Sequence, residues 1–243
     1  MGSAIARLIA AAARWGEDLL AQIYPRVCTV CHTSLVEGEE GLCLHCLAGL
    51  PRTLIHTSRF NTLHERLSSP GVLVDRAGAW FFYLRKNEYS AMIHDAKYRG
   101  MFSLARLWGE MYAREIVADG FFDGIDAILP VPMHISKQRR RGYNQAHEIA
   151  LGISKVTGIP VASNLVARRP HDTQTRKNAW ERWINARHTY EVDRPPELAG
   201  KHVLVVDDVV TTGATMLACL TALHSLPSAP KTSVLALAAT HLR

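Results

Sequence analysis

Residues 202–215 read HVLVVDDVVTTGAT. An apolar run closes on two carboxylates, Asp207 and Asp208, and is followed by a small-residue turn and the start of a helix. At the carboxyl end of a parallel strand the chain faces the crevice where ligands bind in open α/β sheets. Thr211 to Thr215 can present backbone N–H groups at a helix N-terminus, where a phosphate is favoured. Gly213 lets the backbone approach closely. Asp207 and Asp208 are acceptors suited to a sugar diol. Adjacent acids at the end of a buried strand are otherwise costly, so the pair argues for a ligand.

Working outward, the chain alternates from Ala77 onward. AWFFYLR reads as a strand, Tyr89 to Ala118 as a helix, DAILPVP as a strand and Asn144 to Thr157 as a helix. Short strands over Asn164–Ala167 and Tyr190–Val192 come next, then HVLVVDD, a helix over Ala214–His224, and SVLALAAT. Apolar strands alternating with helices predict a parallel sheet flanked by helices, an α/β fold. The polar stretch Thr57–Gly71 reads as a linker or exposed excursion. The expected organisation is therefore an N-terminal helix over 1–24, a cysteine module with linker over 25–71 and the α/β domain over 72–243.

Two basic segments could complete a site. DAILPVPMHISKQRRRGYNQ carries an apolar strand that Pro130 and Pro132 forbid from continuing. A basic loop follows, with Arg141 at the entry to the next helix, and its place at a strand end suits pyrophosphate. The second segment holds Arg168, Arg176, Lys177, Arg182 and Arg187 between strands and reads as a mobile arm. Trp180 and Trp183, three apart, suit packing anchors better than stacking platforms. Asp95 to Gly100 end a helix with cations, which alone is ordinary capping chemistry.

With 243 residues, 48% of them apolar, the chain can bury a full core, and its net charge of +6 favours a phosphorylated or polyanionic partner. Of five cysteines, Cys28, Cys31, Cys43 and Cys46 form two CxxC pairs within nineteen residues. That spacing points to one tetrahedral structural Zn²⁺ site, with an iron site or a redox dithiol as rivals. Cys219 falls in a helix and reads as core. Ile5, Leu8, Ile9, Ala12, Trp15, Leu19 and Ile23 recur at helical spacing, as expected of an amphipathic helix that packs on its own protein or on a membrane surface. Arg14, Glu17 and Asp18 interrupt this run, which argues against a signal peptide, and no stretch approaches the ~20 apolar residues of a membrane span. A cytoplasmic location is the expectation.

The 202–215 segment resembles the motif by which type I phosphoribosyltransferases bind phosphoribosyl pyrophosphate (PRPP). The resemblance implies that Asp207 and Asp208 contact the ribose hydroxyls and that Thr211, Thr212, Gly213, Ala214 and Thr215 hold the 5-phosphate. Hypoxanthine-type members carry an Asp where this chain has Thr211, so purine proton exchange lacks its acid here. The paired CxxC knuckles, KYRG, PVP, RRRGYNQ, a loop with Gln174 and Asn178, and VVDDVVTTGAT occur in that order, as in the ComF family. This second resemblance spans about residues 24–240. It implies a PRPP site used with Mg²⁺, in which Arg141, Arg176 and Lys177 would stabilise departing pyrophosphate, and a link to DNA uptake and natural competence, with other DNA-uptake proteins as candidate partners. It names no acceptor. The rival expectation is a non-catalytic adaptor that binds single-stranded DNA and senses PRPP.

Overall fold

The computed structural model describes residues 26–84, 87–98, 102–167 and 189–240, with the side chains of 96–98 also left aside. The expected N-terminal helix lies outside the described residues, as do Arg99, Gly100 and the expected cationic arm with Arg168, Arg176, Lys177, Arg182 and Arg187. So do Gln174, Asn178, Trp180 and Trp183. The chain divides into two compact units, Met1–Leu50 and Pro51–Arg243.

In the smaller unit, Val27 and Ser34 form an antiparallel bridge that folds the first CxxC into a tight turn. The turn is closed by His32 N–H donating to the Cys28 carbonyl at 2.9 Å. The second CxxC opens a one-turn helix, α1 (Leu44–Ala48), capped by Cys43. Val30, Leu42 and Leu50 are the buried aliphatic side chains among its described residues.

The larger unit is built on four parallel strands. In chain order they are β1 (Ala77–Phe82), β2 (Ala127–Pro130), β5 (His202–Val210) and β6 (Lys231–Ala239), and in space β1-β6-β5-β2. Strands β3 (Leu165–Ala167) and β4 (Tyr190–Val192) form a separate antiparallel pair. The sheet is flanked by α4 (Phe102–Ile116), α6 (Gln145–Thr157) and α7 (Ala214–His224), with α3 (Ser90–Tyr98) ahead of α4. Strand side chains alternate between faces. Val203 and Val205 accordingly join one core cluster with Met216, Cys219, Leu220 and Leu223 of α7. Leu204 and Val206 turn to the opposite face, where α6 crosses β5. α4 and α6 cross through glycines. A Cβ on Gly152 would stand 2.0 Å from the Arg106 carbonyl oxygen, and one on Gly109 would stand 2.3 Å from that of Ile149.

The stretch expected as a linker instead belongs to the larger unit, and the division falls between Leu50 and Pro51, not near residue 72. Its helix α2 (Thr62–Leu67) buries Leu63 and Leu67 completely, each contributing about 2 kcal/mol of apolar burial. Asn61 explains why so polar a stretch packs. Its Oδ1 caps α2 by accepting from Leu63 and His64 N–H, and its Nδ2 donates to the carbonyls of Ile55, Ser58 and Ala77. One buried amide thus satisfies five backbone groups. The outer margin of β1 is closed by Thr53 N–H on the Trp80 carbonyl and Phe82 N–H on the Pro51 carbonyl, both at 2.9 Å. Along β2, Ile128 is bridged in parallel to Val161.

Two expectations are revised. The basic run expected as a loop is a helix, α5 (Ile135–Arg141), capped by His134 and stopped at Gly142, φ +92°. The strand read as HVLVVDD continues to Val210, because β6 pairs with it as far as Ala239.

Candidate functional site

β2 ends beside β5, Pro130 pairing with Val206, so the turn after β2 and Asp207 to Val209 near the end of β5 share one cleft. It encloses about 290 Å³ and is lined by Asp207, Asp208, Arg141, Lys137, His134 and Thr215 among others. Separate stretches of the chain therefore meet there: the end of β5, the turn after β2 with the α5–α6 junction close behind it, and β3 and β4 through Ala167 and Tyr190.

Each acid is held by the peptide that follows it. Asp208 N–H donates to Asp207 Oδ1 at 2.8 Å and Val209 N–H to Asp208 Oδ1 at 2.7 Å. Both residues are half-buried at the cleft wall. Tyr190 packs behind them. Burial first, then the neighbouring Cys219 and Asp207, raise its phenol well above the ordinary tyrosine range, so Tyr190 is a neutral wall and no proton acceptor at neutral pH.

At the opposite wall, Asn144 caps α6, its Oδ1 accepting from Ala146 N–H at 3.1 Å. Its Nδ2 donates to the Val131 carbonyl at 3.0 Å, tying the turn after β2 to the helix start. Arg141 donates to Gln145 Oε1 at 2.6 Å, which fixes the guanidinium along the cleft. The Pro-Val-Pro turn, the Arg-Gly-Tyr-Asn-Gln segment and the paired acids are thus brought together as the sequence suggests. Lys137 and His134 come with them, carried by α5. His134 Nδ1 lies 2.8 Å from Ser136 Oγ.

Beside this cleft, Val209 to Met216 and Asp207 line a second hollow of about 30 Å³. Gly213 caps α7 at φ +80°, a left-handed conformation that a β-carbon disfavours. A Cβ there would stand 3.0 Å from Leu67 Cδ2 and 3.2 Å from Arg66 Cγ. Ala214 N–H donates to Thr212 Oγ1 at 3.4 Å. Among the described residues, no protein acceptor takes the N–H of Thr212 or Gly213. Orphan N–H groups at a helix N-terminus, beside a hollow of this size, suit a tetrahedral anion.

Arg66 and Thr240 were not legible as part of this site. Arg66 Nη1 donates to the Thr211 carbonyl and, at 3.3 Å, to Thr240 Oγ1. Thr240 Oγ1 donates to the same carbonyl at 3.2 Å. The arginine is 145 residues from the carbonyl it holds, a separation at which no local pattern in the sequence speaks.

In the smaller unit the sulfurs of Cys28, Cys31, Cys43 and Cys46 lie within 4.8 Å of one another. Cys31 Sγ and Cys43 Sγ are 3.7 Å apart. Four thiolates about 2.3 Å from one ion in a tetrahedron stand roughly 3.8 Å apart, so the group could hold a metal ion. None of the four is in a disulfide. The side-chain hydrogen bond with Thr33 leads the causes that draw the Cys31 thiol down to about 6, whereas burial leads those that push Cys46 up.

Residues 120–228 match the family model of the phosphoribosyl transferase domain. The DNA utilization protein YhgH of Escherichia coli O6:H1 is 27% identical over 202 residues, covering 79% of this chain and 88% of that protein. Competence protein F of Haemophilus influenzae is 38% identical over 93 residues, covering 37% of this chain and 41% of that protein. The glutamine PRPP amidotransferase from B. subtilis is similar over 56% of this chain and 26% of its own, with 21% identity and a TM-score of 0.38, a likeness too slight to carry an argument. No helix among the described residues is long and apolar enough to cross a membrane.

Proposed function

We propose that this chain belongs to the ComF family, to which its relatives and the phosphoribosyl transferase match over residues 120–228 point, and that it binds PRPP in the cleft between the ends of β2 and β5 and serves DNA uptake. The observation that carries the reading is the meeting of Asp207, Asp208 and Arg141 on one cleft, with the Thr-Thr-Gly-Ala-Thr hollow beside it. Acceptors suited to a ribose diol and a cation suited to pyrophosphate line one cleft, and donors suited to a 5-phosphate line the hollow beside it, which supports this reading. The link to DNA uptake comes from the names of the relatives.

In this reading Asp207 and Asp208 orient the ribose, and residues 211–215 take the 5-phosphate through backbone N–H and threonine hydroxyls. Arg141, held in line by Gln145, faces the pyrophosphate. Arg176 and Lys177, which lie outside the described residues, are the further cations the sequence offers for it. Charge builds on pyrophosphate as the bond to C1 breaks, and fixed cations stabilise that charge. Carboxylate oxygens at the cleft wall are the hard donors that Mg²⁺ takes, so the donor set fits Mg²⁺ arriving with the substrate, held mainly by phosphate oxygens and waters. When bound, it would offset the charge of the pyrophosphate. Zn²⁺ is the ion we assign to the four thiolates; with its ligand set closed, its role is structural. The acceptor of the phosphoribosyl group is left open, and single-stranded DNA is among the candidates.

Calorimetric titration of the zinc-loaded protein with PRPP and Mg²⁺, repeated on Asp207→Ala with Asp208→Ala, tests the site. The expected outcome is binding by the wild type and at least a hundredfold weaker binding by the double variant. Equal affinity in the two would remove the site assignment. Absence of binding to folded wild type would make the loop a relic, leaving a DNA-binding adaptor as the better reading.

A further inference from the structure

The turn 211–213, which would receive the 5-phosphate, contains no lysine or arginine, and neither does the strand before it or the first turn of α7. A phosphate bound there would rest on N–H and hydroxyl groups alone. Arg66 lies against this turn from α2. Its Nη1 spends its hydrogen bonds on the Thr211 carbonyl and Thr240 Oγ1. Its Cγ and Cδ run past Gly213, where only a glycine leaves them room. Leu67, the next residue, is fully buried and anchors α2 in place. Among the described residues, no carboxylate pairs with Arg66 within 4.0 Å, and burial alone lowers its hold on its proton.

The peptide bond gives this contact a direction. In a trans peptide the carbonyl and the following N–H point opposite ways, and the chain has no cis peptide. Pinning the Thr211 carbonyl on Arg66 and Thr240 therefore turns the Thr212 N–H away from them. That N–H has no protein acceptor among the described residues, and Thr212 lines the small hollow.

We infer that Arg66 is a positioning residue for the 5-phosphate loop. Through the Thr211 carbonyl it fixes the Thr212 N–H toward the phosphate, and it supplies the positive charge the loop lacks. This rests on the PRPP reading and adds to it a residue outside the motif, on a segment that reads as a linker in the sequence. It also gives the Thr240 hydroxyl a purpose, as the second donor on the same carbonyl.

The test titrates the full-length, zinc-loaded protein with three ligands: ribose 5-phosphate, PRPP with Mg²⁺, and pyrophosphate with Mg²⁺. Arg66→Met should weaken ribose 5-phosphate and PRPP by about tenfold or more and leave pyrophosphate within twofold. Arg66→Lys should recover part of the loss, since one ammonium reaches a carbonyl without the planar fork. Thr240→Val, which leaves the cation in place, should cost three- to fivefold on the same two ligands and keeps the test open should Arg66→Met not fold. Equal losses on all three ligands would reduce Arg66 to a fold residue, and unchanged affinities in folded Arg66→Met and Thr240→Val would overturn the inference. Failure of the wild type to bind ribose 5-phosphate and PRPP would strike the PRPP reading itself, a result separable from any failure seen in the variants alone.

Discussion

His202 begins β5, at the end of the strand opposite Asp207. It is buried, with Nε2 2.9 Å from Ser233 Oγ and 3.9 Å from Asp75 Oδ2. Burial is the main cause that lowers its proton affinity; Lys231 and Arg76 add to this, and Asp75 and Asp126 partly oppose it. The folded chain thus prefers neutral imidazole, while the unfolded chain takes up a proton near pH 6.5. Above that pH the residue adds no pH dependence. As pH falls from about 6.5 toward the lower folded value, the unfolded state binds more protons and stability is lost. His224, lowered chiefly by burial, acts in the same sense. Melting temperatures between pH 7.5 and 5.5 should fall in the wild type and fall less in His202→Gln, and parallel curves would reject the assignment. At this scale the sequence was informative where chemistry is local. Asp207, Asp208, Gly213 and Arg141 stand out by type and spacing, whereas Arg66, His202 and Tyr190 owe their roles to partners brought in by the fold.

Among the elements, the crossing of α4 and α6 is the tightest packing described. Gly109 and Gly152 let the two backbones meet, and the flanks are joined by Arg106 with Glu148 at 2.7 Å and Lys155 with Glu110 at 2.8 Å. Those exposed ion pairs contribute little; the close approach is set by the missing side chains. Gly152→Ala should therefore destabilise the protein by about 3 kcal/mol through overpacking, although alanine is the better helix former. Urea unfolding would measure it, and a stabilised variant would mean that the helices separate freely. α6 also carries Asn144 and Gln145, so the same variant should loosen the Arg141 wall of the cleft. The sequence predicts α6 and α7 closely, because α6 has an apolar face behind a polar cap and α7 is a largely apolar run opened by a glycine. It misreads α5, since Lys137 to Arg141 set like charges side by side, a pattern with no helical signature. The stretch expected as one helix over Tyr89–Ala118 is described as α3 and α4, with 99–101 outside the described residues.

For the whole molecule, the division at Leu50 separates a unit held by sulfur from a unit held by a sheet. Among its described residues, 26–50, the smaller one buries few aliphatic side chains; with an ion on the four thiolates, metal binding free energy would become folding free energy there. Stripping the metal with a chelator should expose Arg26–Leu50 to proteolysis while the larger unit keeps its melting transition. Loss of both together, or of neither, would contradict this independence; mass spectrometry of the digest with a zinc assay reads both. The succession of strands along the chain and the cysteine module were legible from apolar runs and CxxC spacing, whereas the spatial order β1-β6-β5-β2 was not. The boundary was not, because the polar residues between Thr57 and Gly71 disguise the buried Asn61, Leu63 and Leu67.

The two margins of the four-stranded sheet carry a further consequence. Pro51 and Thr53 already occupy hydrogen-bonding positions along β1, and the segment Pro160–Ala162 does so along β2. An exposed strand is the usual template for runaway pairing between copies of a chain. Among the described residues both margins of this sheet are covered in that way, which disfavours its lengthening by a strand from a second copy.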